Sequence, residues 1–166
     1  PFSIVWGGAL ALATWMLYRY KDRPSSFLFA VGTFLGGAYE YLCSVASEKV
    51  FGTVFWDYSH LPFNLGGRIN LLYCFFWGFA AVAWFKVCYP HFSAWIECIP
   101  SRIGKPVTWA VLVFMVCNMV MSGGALLRYD TRTLGLPATS GWEVYMDAHY
   151  GDDVIARIYP NAIRVD

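Results

Sequence analysis

The chain has 166 residues, of which 58% are hydrophobic, 19% aromatic and only 14% charged. Soluble domains carry about 25% charged residues, and one of this size leaves roughly 30% of its unfolded surface in water, so the composition excludes an ordinary soluble globule. A net charge of +1 gives no sign of a nucleic-acid partner, and five cysteines without CxxC or Cys/His spacing argue against a zinc or disulfide framework.

The fold class expected is therefore all-α: a polytopic transmembrane helix bundle of about four spans with an interfacial or re-entrant polar loop. The chain opens at Pro1 in apolar sequence, without an initiating Met and without a signal-peptide pattern, so a longer parent protein is expected. A first span is expected over residues 2–18, close to the lower limit for crossing a bilayer core of about 20 residues. Arg19, Lys21, Arg23 and Pro24 end it.

The second span is expected over residues 27–46, and its spacing is informative. Gly32, Gly36, Glu40, Ser44 and Glu48 recur every fourth residue, along one face of a helix. Gly32 and Gly36 form a GxxxG pattern that admits a second helix at close range. Glu40 belongs either in the bundle interior or a wet cavity, since a carboxylate facing lipid is costly, or near a solvated interface.

Residues 50–67 cannot form one lipid-exposed helix, because Gly52, Pro62, Gly66 and Gly67 interrupt them. Irregular backbone at membrane depth survives only against protein or water, so this hinge is expected to be interfacial or re-entrant. The third span is expected over residues 69–85, ended by Lys86 and Pro90. Its Asn70, Cys74 and Gly78 repeat the spacing of four, which makes it the natural partner for the Gly32/Gly36 face. Residues 91–105 read as an amphipathic stretch at the surface, and Pro106 opens a fourth span over residues 107–127. From Arg128 charges return and no long apolar run follows. Residues 1–127 are thus expected to form a transmembrane domain and residues 128–166 an extramembrane tail with one short helix from Asp152 to Ile158. Six basic residues in loops one and three, against four near the other side, favour those loops in the cytoplasm and the hinge and tail outside.

Four ordered segments carry a resemblance: Gly37-Ala-Tyr-Glu-Tyr41, Glu48-Lys-Val-Phe-Gly52, Phe55-Trp-Asp-Tyr-Ser59 and Pro62-Phe-Asn-Leu-Gly-Gly-Arg-Ile69. Together they resemble the Putative ABC-transporter type IV family (CmpB) of bacterial membrane proteins, read as E-Y-x-x-S/T, E-K, W-W-D-Y-S and P-F-N-x-x-G-R. Phe55 stands where the family commonly has a first Trp. Pro1-Phe-Ser-Ile-Val-Trp-Gly-Gly-Ala9, Arg128-Tyr-Asp-Thr-Arg132 and Tyr159-Pro-Asn161 are similar to further family elements, and the alignment implies a preceding helix with a Gly-Trp-x-x-Glu motif. The resemblance implies a multi-pass transport component of the bacterial cytoplasmic (inner) membrane. No Walker A pattern is present, so the ATPase would be a separate nucleotide-binding subunit.

The polar site expected from residues and resemblance together comprises Glu40, Glu48, Trp56, Asp57, Tyr58, Ser59, Asn64, Gly67 and Arg68, with Gly32, Gly36 and Gly78 for helix packing. Arg68 can be held by Asp57, Glu40 or Glu48 through charge-assisted hydrogen bonds. That network reads either as a structural lock on the loop or as a proton- or substrate-binding site. A metal site from Glu40, Glu48, Asp57 and His60 is weighed against pairing of these groups with Arg68, Lys49 and backbone, and the pairing is favoured, so neither metal nor cofactor is expected. Ser59 and His60 are sequence neighbours, an unsuitable arrangement for nucleophile and base. Two rival functions share the same side chains: an intramembrane enzyme acting on a lipid or lipid-linked substrate, and a structural membrane subunit without a solute path. Besides the lipid bilayer and the nucleotide-binding subunit, a second copy of the chain is a candidate partner.

Overall fold

The computed structural model of the protein describes residues 4–165. The start of the first expected span and of the Pro1–Ala9 motif thus lies outside the described residues. Long apolar runs dictate helices, because a helix satisfies every backbone polar group within its own segment. Among the described residues these are α1 (Ile4–Leu17), α2 (Ser25–Phe51), α3 (Leu71–Ala83), α4 (Tyr89–Glu97) and α5 (Ser101–Thr133), followed by the shorter α6 (Gly141–His149) and α7 (Asp152–Ile158). Four two-residue strands, β1 (Thr53–Val54), β2 (Asn64–Leu65), β3 (Ile69–Asn70) and β4 (Ile163–Arg164), pair antiparallel as β1 with β4 and β2 with β3. Among the described residues three helical runs are long and apolar enough to cross a membrane: Ser25–Phe51, Leu71–Glu97 and Ser101–Thr133. The 14 described residues of α1 are fewer than the about 20 that a spanning helix needs.

Two boundaries differ from the sequence expectation. Lys86 and Pro90 do not end the third span, which runs on to Glu97 through a π-helical turn at Trp84–Cys88. Proline at position 90 has no N–H to offer the preceding turn, and the widened turn, closed by the Tyr89 amide on the Trp84 carbonyl, carries the helix past it. Pro106 likewise does not open α5 but lies inside it, in the second turn. Residues 91–105 are therefore the end of α4, a break at Cys98-Ile99-Pro100, and the start of α5, not a separate surface helix.

The chain divides into two compact units, to both of which α2 and α5 contribute. In the unit of residues 4–43 and 58–111, α1, α2 and α3 run up, down and up. Leu17, Leu28 and Phe85 are its buried apolar centre. The helices α2 and α3 approach so closely that a Cβ added at Gly32 would lie 2.5 Å from the Ala81 Cβ, one at Gly37 2.7 Å from the Cys74 Sγ, and one at Gly78 2.7 Å from the Phe29 carbonyl oxygen. A Cβ at Gly36 would collide with Trp77. Small residues thus set the helix spacing, and the gain is dispersion between backbones in contact. Side-chain hydrogen bonds pin α1 to both partners: the Tyr39 hydroxyl donates to the Val5 carbonyl at 2.8 Å, and the Trp84 indole to the Thr14 hydroxyl at 2.8 Å.

The other unit holds residues 44–57 and 112–165. Ala125, Leu126, Met146 and Ile155 are its buried centre, joining α5, α6 and α7. Helix α6 begins with a capping box: the Ser140 hydroxyl accepts from the Glu143 amide while the Glu143 carboxylate accepts from the Ser140 amide. Strand β4 closes the unit by pairing Thr53 with Arg164 and Val54 with Ile163.

Candidate functional site

Glu40 is the centre of the site, a carboxylate in the membrane-spanning helix α2 that is buried. Its two oxygens are taken by two neutral donors. The Tyr58 hydroxyl donates to Oε1 at 2.7 Å, and the Trp77 indole N–H donates to Oε2 at 3.0 Å. The donors come from different elements, Tyr58 from the polar loop and Trp77 from the second turn of α3. Tyr58 is also stacked on Tyr73, with ring centroids 4.6 Å apart, and Trp77 on Trp6 at 5.1 Å. Burial, followed by the hydrogen bond to Glu40, raises the Tyr58 phenol well above its ordinary pKa, so it serves as a donor across the physiological range.

The loop that delivers Tyr58 is a hydrogen-bonded structure. The Tyr58 amide donates to the Gly67 carbonyl at 2.8 Å, and the Leu61 amide to the Tyr58 carbonyl at 2.9 Å. Asn64 uses both ends of its side chain: Oδ1 accepts from the Gly67 amide at 2.9 Å and Nδ2 donates to the Leu61 carbonyl at 2.7 Å. Gly67 can take part because it lies in the left-handed region, at φ 69°. Asn70 ties the loop to α3, donating to the Pro62 carbonyl at 2.6 Å and capping the helix by accepting from the Leu72 amide at 2.9 Å. Pro62, Asn64, Gly67 and Asn70 are therefore one backbone-shaping device.

Of the other site residues expected from sequence, Ser59 is exposed and Arg68 half-buried, with the Arg68 amide donating to the Leu65 carbonyl at 3.2 Å. Glu48, Trp56 and Asp57 belong to the other unit, the first two half-buried and Asp57 exposed. Among the described residues no cluster of three His, Cys, Asp or Glu side chains has metal-holding geometry.

Beside Glu40 lies an apolar cavity of ≈ 350 Å³ between α1, α2 and α3, with Trp6, Leu10, Leu35, Tyr39 and Trp77 among its walls. Trp77 belongs to both features, its ring lining the cavity and its N–H turned to Glu40. Trp77 was absent from the residues singled out by sequence. The signal was available: it is the one side-chain N–H donor in Leu71–Ala83, the helix carrying the small-residue stripe that faces α2. A buried carboxylate on α2 has to find donors there.

A second polar cluster also escaped the sequence reading. Arg128, buried near the end of α5, grips Asp147 of α6 with two parallel hydrogen bonds, Nε to Oδ1 at 2.8 Å and Nη2 to Oδ2 at 2.9 Å. Arg132 reaches Asp147 at 2.7 Å and Asp152, the first residue of α7, at 2.7 Å. The network fastens α6 and α7 to α5, and its bidentate geometry is what a guanidinium makes with a carboxylate.

These features define a polytopic α-helical membrane protein with a carboxylate buried among its helices beside an apolar cavity. The chain belongs to the Putative ABC-transporter type IV family, whose sequence model matches residues 1–123. That span contains α1 to α4, the polar loop and most of α5, while Arg128, α6 and α7 lie beyond it. No curated protein and no solved structure matches the chain.

Proposed function

We propose that the chain is the membrane-embedded component of an ABC-type transport system of the bacterial cytoplasmic membrane. ATP hydrolysis is supplied by a separate nucleotide-binding subunit. The observation that carries this reading is Glu40, buried in a spanning helix and joined to a loop residue and a neighbouring helix at once. Ionisable residues at such depth are costly and mark solute or ion paths by default. On this reading the polar loop and Glu40 form one end of the path, and a solute with an apolar part has the adjoining cavity to enter. Residues 1–127 hold the spans, and residues 128–166 follow them as a tail that adds no further span.

The test is purification from native membranes in mild detergent, followed by an ATPase assay of the complex in lipid. Transport predicts a nucleotide-binding subunit at fixed stoichiometry, with ATPase activity that falls in Glu40→Gln while assembly persists. A chain that purifies alone, and turns over a lipid-linked substrate without ATP, defeats the proposal in favour of an intramembrane enzyme.

A further inference from the structure

The tail does more than leave the membrane. Between Lys105 and Arg128 helix α5 holds 22 consecutive residues without a charge. At 1.5 Å per residue they rise about 33 Å, matching a hydrocarbon core of about 30 Å. The Arg128 level is thus the core boundary, and Gly124 lies one turn inside it.

The chain returns to that inner level after leaving α5. The Leu136 amide donates to the Thr131 carbonyl at 3.0 Å and its carbonyl accepts from Arg128 at 3.1 Å, so the connection has already folded back onto the last turn of α5. It continues inward until Trp142, whose indole would lie 2.8 Å from a Cβ at Gly124. Helix α6 then climbs outward beside α5, with Asp147 on Arg128 and Arg132, and the Tyr150 carbonyl on Arg132. The segment that makes this excursion suits the depth. Residues 133–146 contain a single charged side chain, Glu143, and they expose Leu134, Leu136, Trp142, Val144 and Tyr145. Glu143 is spent on the amides at its own helix start, accepting from Thr139 at 2.6 Å and Ser140 at 3.0 Å. A helix start at the lipid boundary needs those amides satisfied internally.

We propose that residues 134–146 form an interfacial anchor, seated on the headgroup–acyl boundary of the leaflet at the C-terminal end of α5. The occupant of the exposed face is lipid, because these apolar side chains are exposed next to the end of the uncharged run of α5, which itself exposes Val116, Met119, Val120 and Leu127. Trp142 and Tyr145 stack at 6.2 Å as an aromatic pair at the depth where amphipathic rings concentrate.

The test uses the full chain reconstituted at one copy per lipid nanodisc. Leu134→Cys, Val144→Cys and, as a water-facing control, Asp153→Cys are treated with a charged, water-soluble maleimide, and peptide mapping separates each site from the native cysteines. Labelling at 134 and 144 is expected to be roughly tenfold slower than at 153, as for groups seated in the headgroup region. Equal rates at all three sites overturn the anchor. Protection that arises only with two copies per disc also overturns it, assigning the face to a second chain. On the unmodified protein, a phospholipid with a photoactivatable group near its glycerol should form adducts within residues 134–146. Their absence there, with adducts present on α5, counts equally against the proposal.

Discussion

Glu40 illustrates how much a single side chain can hold together, and substitutions at it should separate geometry from charge. In Glu40→Gln the amide oxygen can still accept from the Trp77 indole, and the amide nitrogen can donate to the Tyr58 oxygen. The fold should persist with a loss of about 1 kcal/mol, the usual worth of one exchanged hydrogen bond. In Glu40→Ala both donors are stranded in the interior, and each unsatisfied group costs about 1–3 kcal/mol. Denaturant-induced unfolding in detergent should order the chains as wild type, then Gln, then Ala; an Ala variant as stable as Gln would show that the network contributes nothing. Glycine offers a second comparison at the same scale. Gly78→Ala places a methyl against the Phe29 backbone carbonyl, which cannot swing away, so α3 must move off α2. Overpacking of that kind costs about 1–3 kcal/mol. Gly123→Ala, with nothing within 4 Å of the new atom, should be neutral or stabilising because alanine is the better helix former.

At the scale of elements, the loop is where sequence reading and structure differ most usefully. The apolar runs gave the helices, and the breakers Pro62, Gly66 and Gly67 located the loop, because both signals are local. Asp152–Ile158 was equally legible, bounded by paired acids at its start and Pro160 just beyond its end. Helix α6 was missed even though Ser140 and Glu143 spell a capping box, since nine residues with mixed periodicity give a weak pattern. The ends of α4 and α5 were misplaced because a π-helical turn absorbs Pro90 and Pro106 falls inside a helix, and neither accommodation is written in composition. What sequence alone could not fix is which of these groups meet: Tyr58, among the expected site residues, and Trp77, the one side-chain N–H donor of its helix, lie 18 and 37 residues from Glu40. Asn64 can be tested at this scale. Asn64→Asp keeps an acceptor for the Gly67 amide but sets a carboxylate against the Leu61 carbonyl, and Asn64→Ala loses both bonds. Both should loosen residues 58–70, seen as faster amide exchange at Leu61 and Gly67, with α2 and α3 unchanged. Unaltered exchange in both variants would mean that the loop is held by other means.

Across the whole molecule two kinds of cohesion coexist, and acid should separate them. In the unit of residues 4–43 and 58–111, close helix approach and the two neutral donors on Glu40 hold α2 and α3 together. In residues 112–165 the docking of α6 and α7 depends on Asp147. Its two hydrogen bonds from Arg128, then that from Arg132, hold its pKa down from the ordinary 3.8 to about 2. Glu143 moves the same way, lowered chiefly by the Thr139 amide and hydroxyl and then by the Ser140 amide. A carboxylate with a depressed folded-state pKa binds protons more readily once unfolded, so it contributes stability in full above its unfolded value and loses that contribution as pH falls through the folded one. The window here runs from about pH 4 down to about pH 2. Limited digestion with pepsin across that window should cut residues 134–165 progressively faster, while the α2–α3 pair stays resistant. Asp147→Asn keeps the shape but drops the charge, so with a neutral-pH protease its tail should already be as susceptible as the wild-type tail is in acid. Equal resistance of the wild-type tail at pH 5 and pH 2 would show that the apolar centre around Met146 and Ile155, not the ion network, keeps α6 and α7 in place.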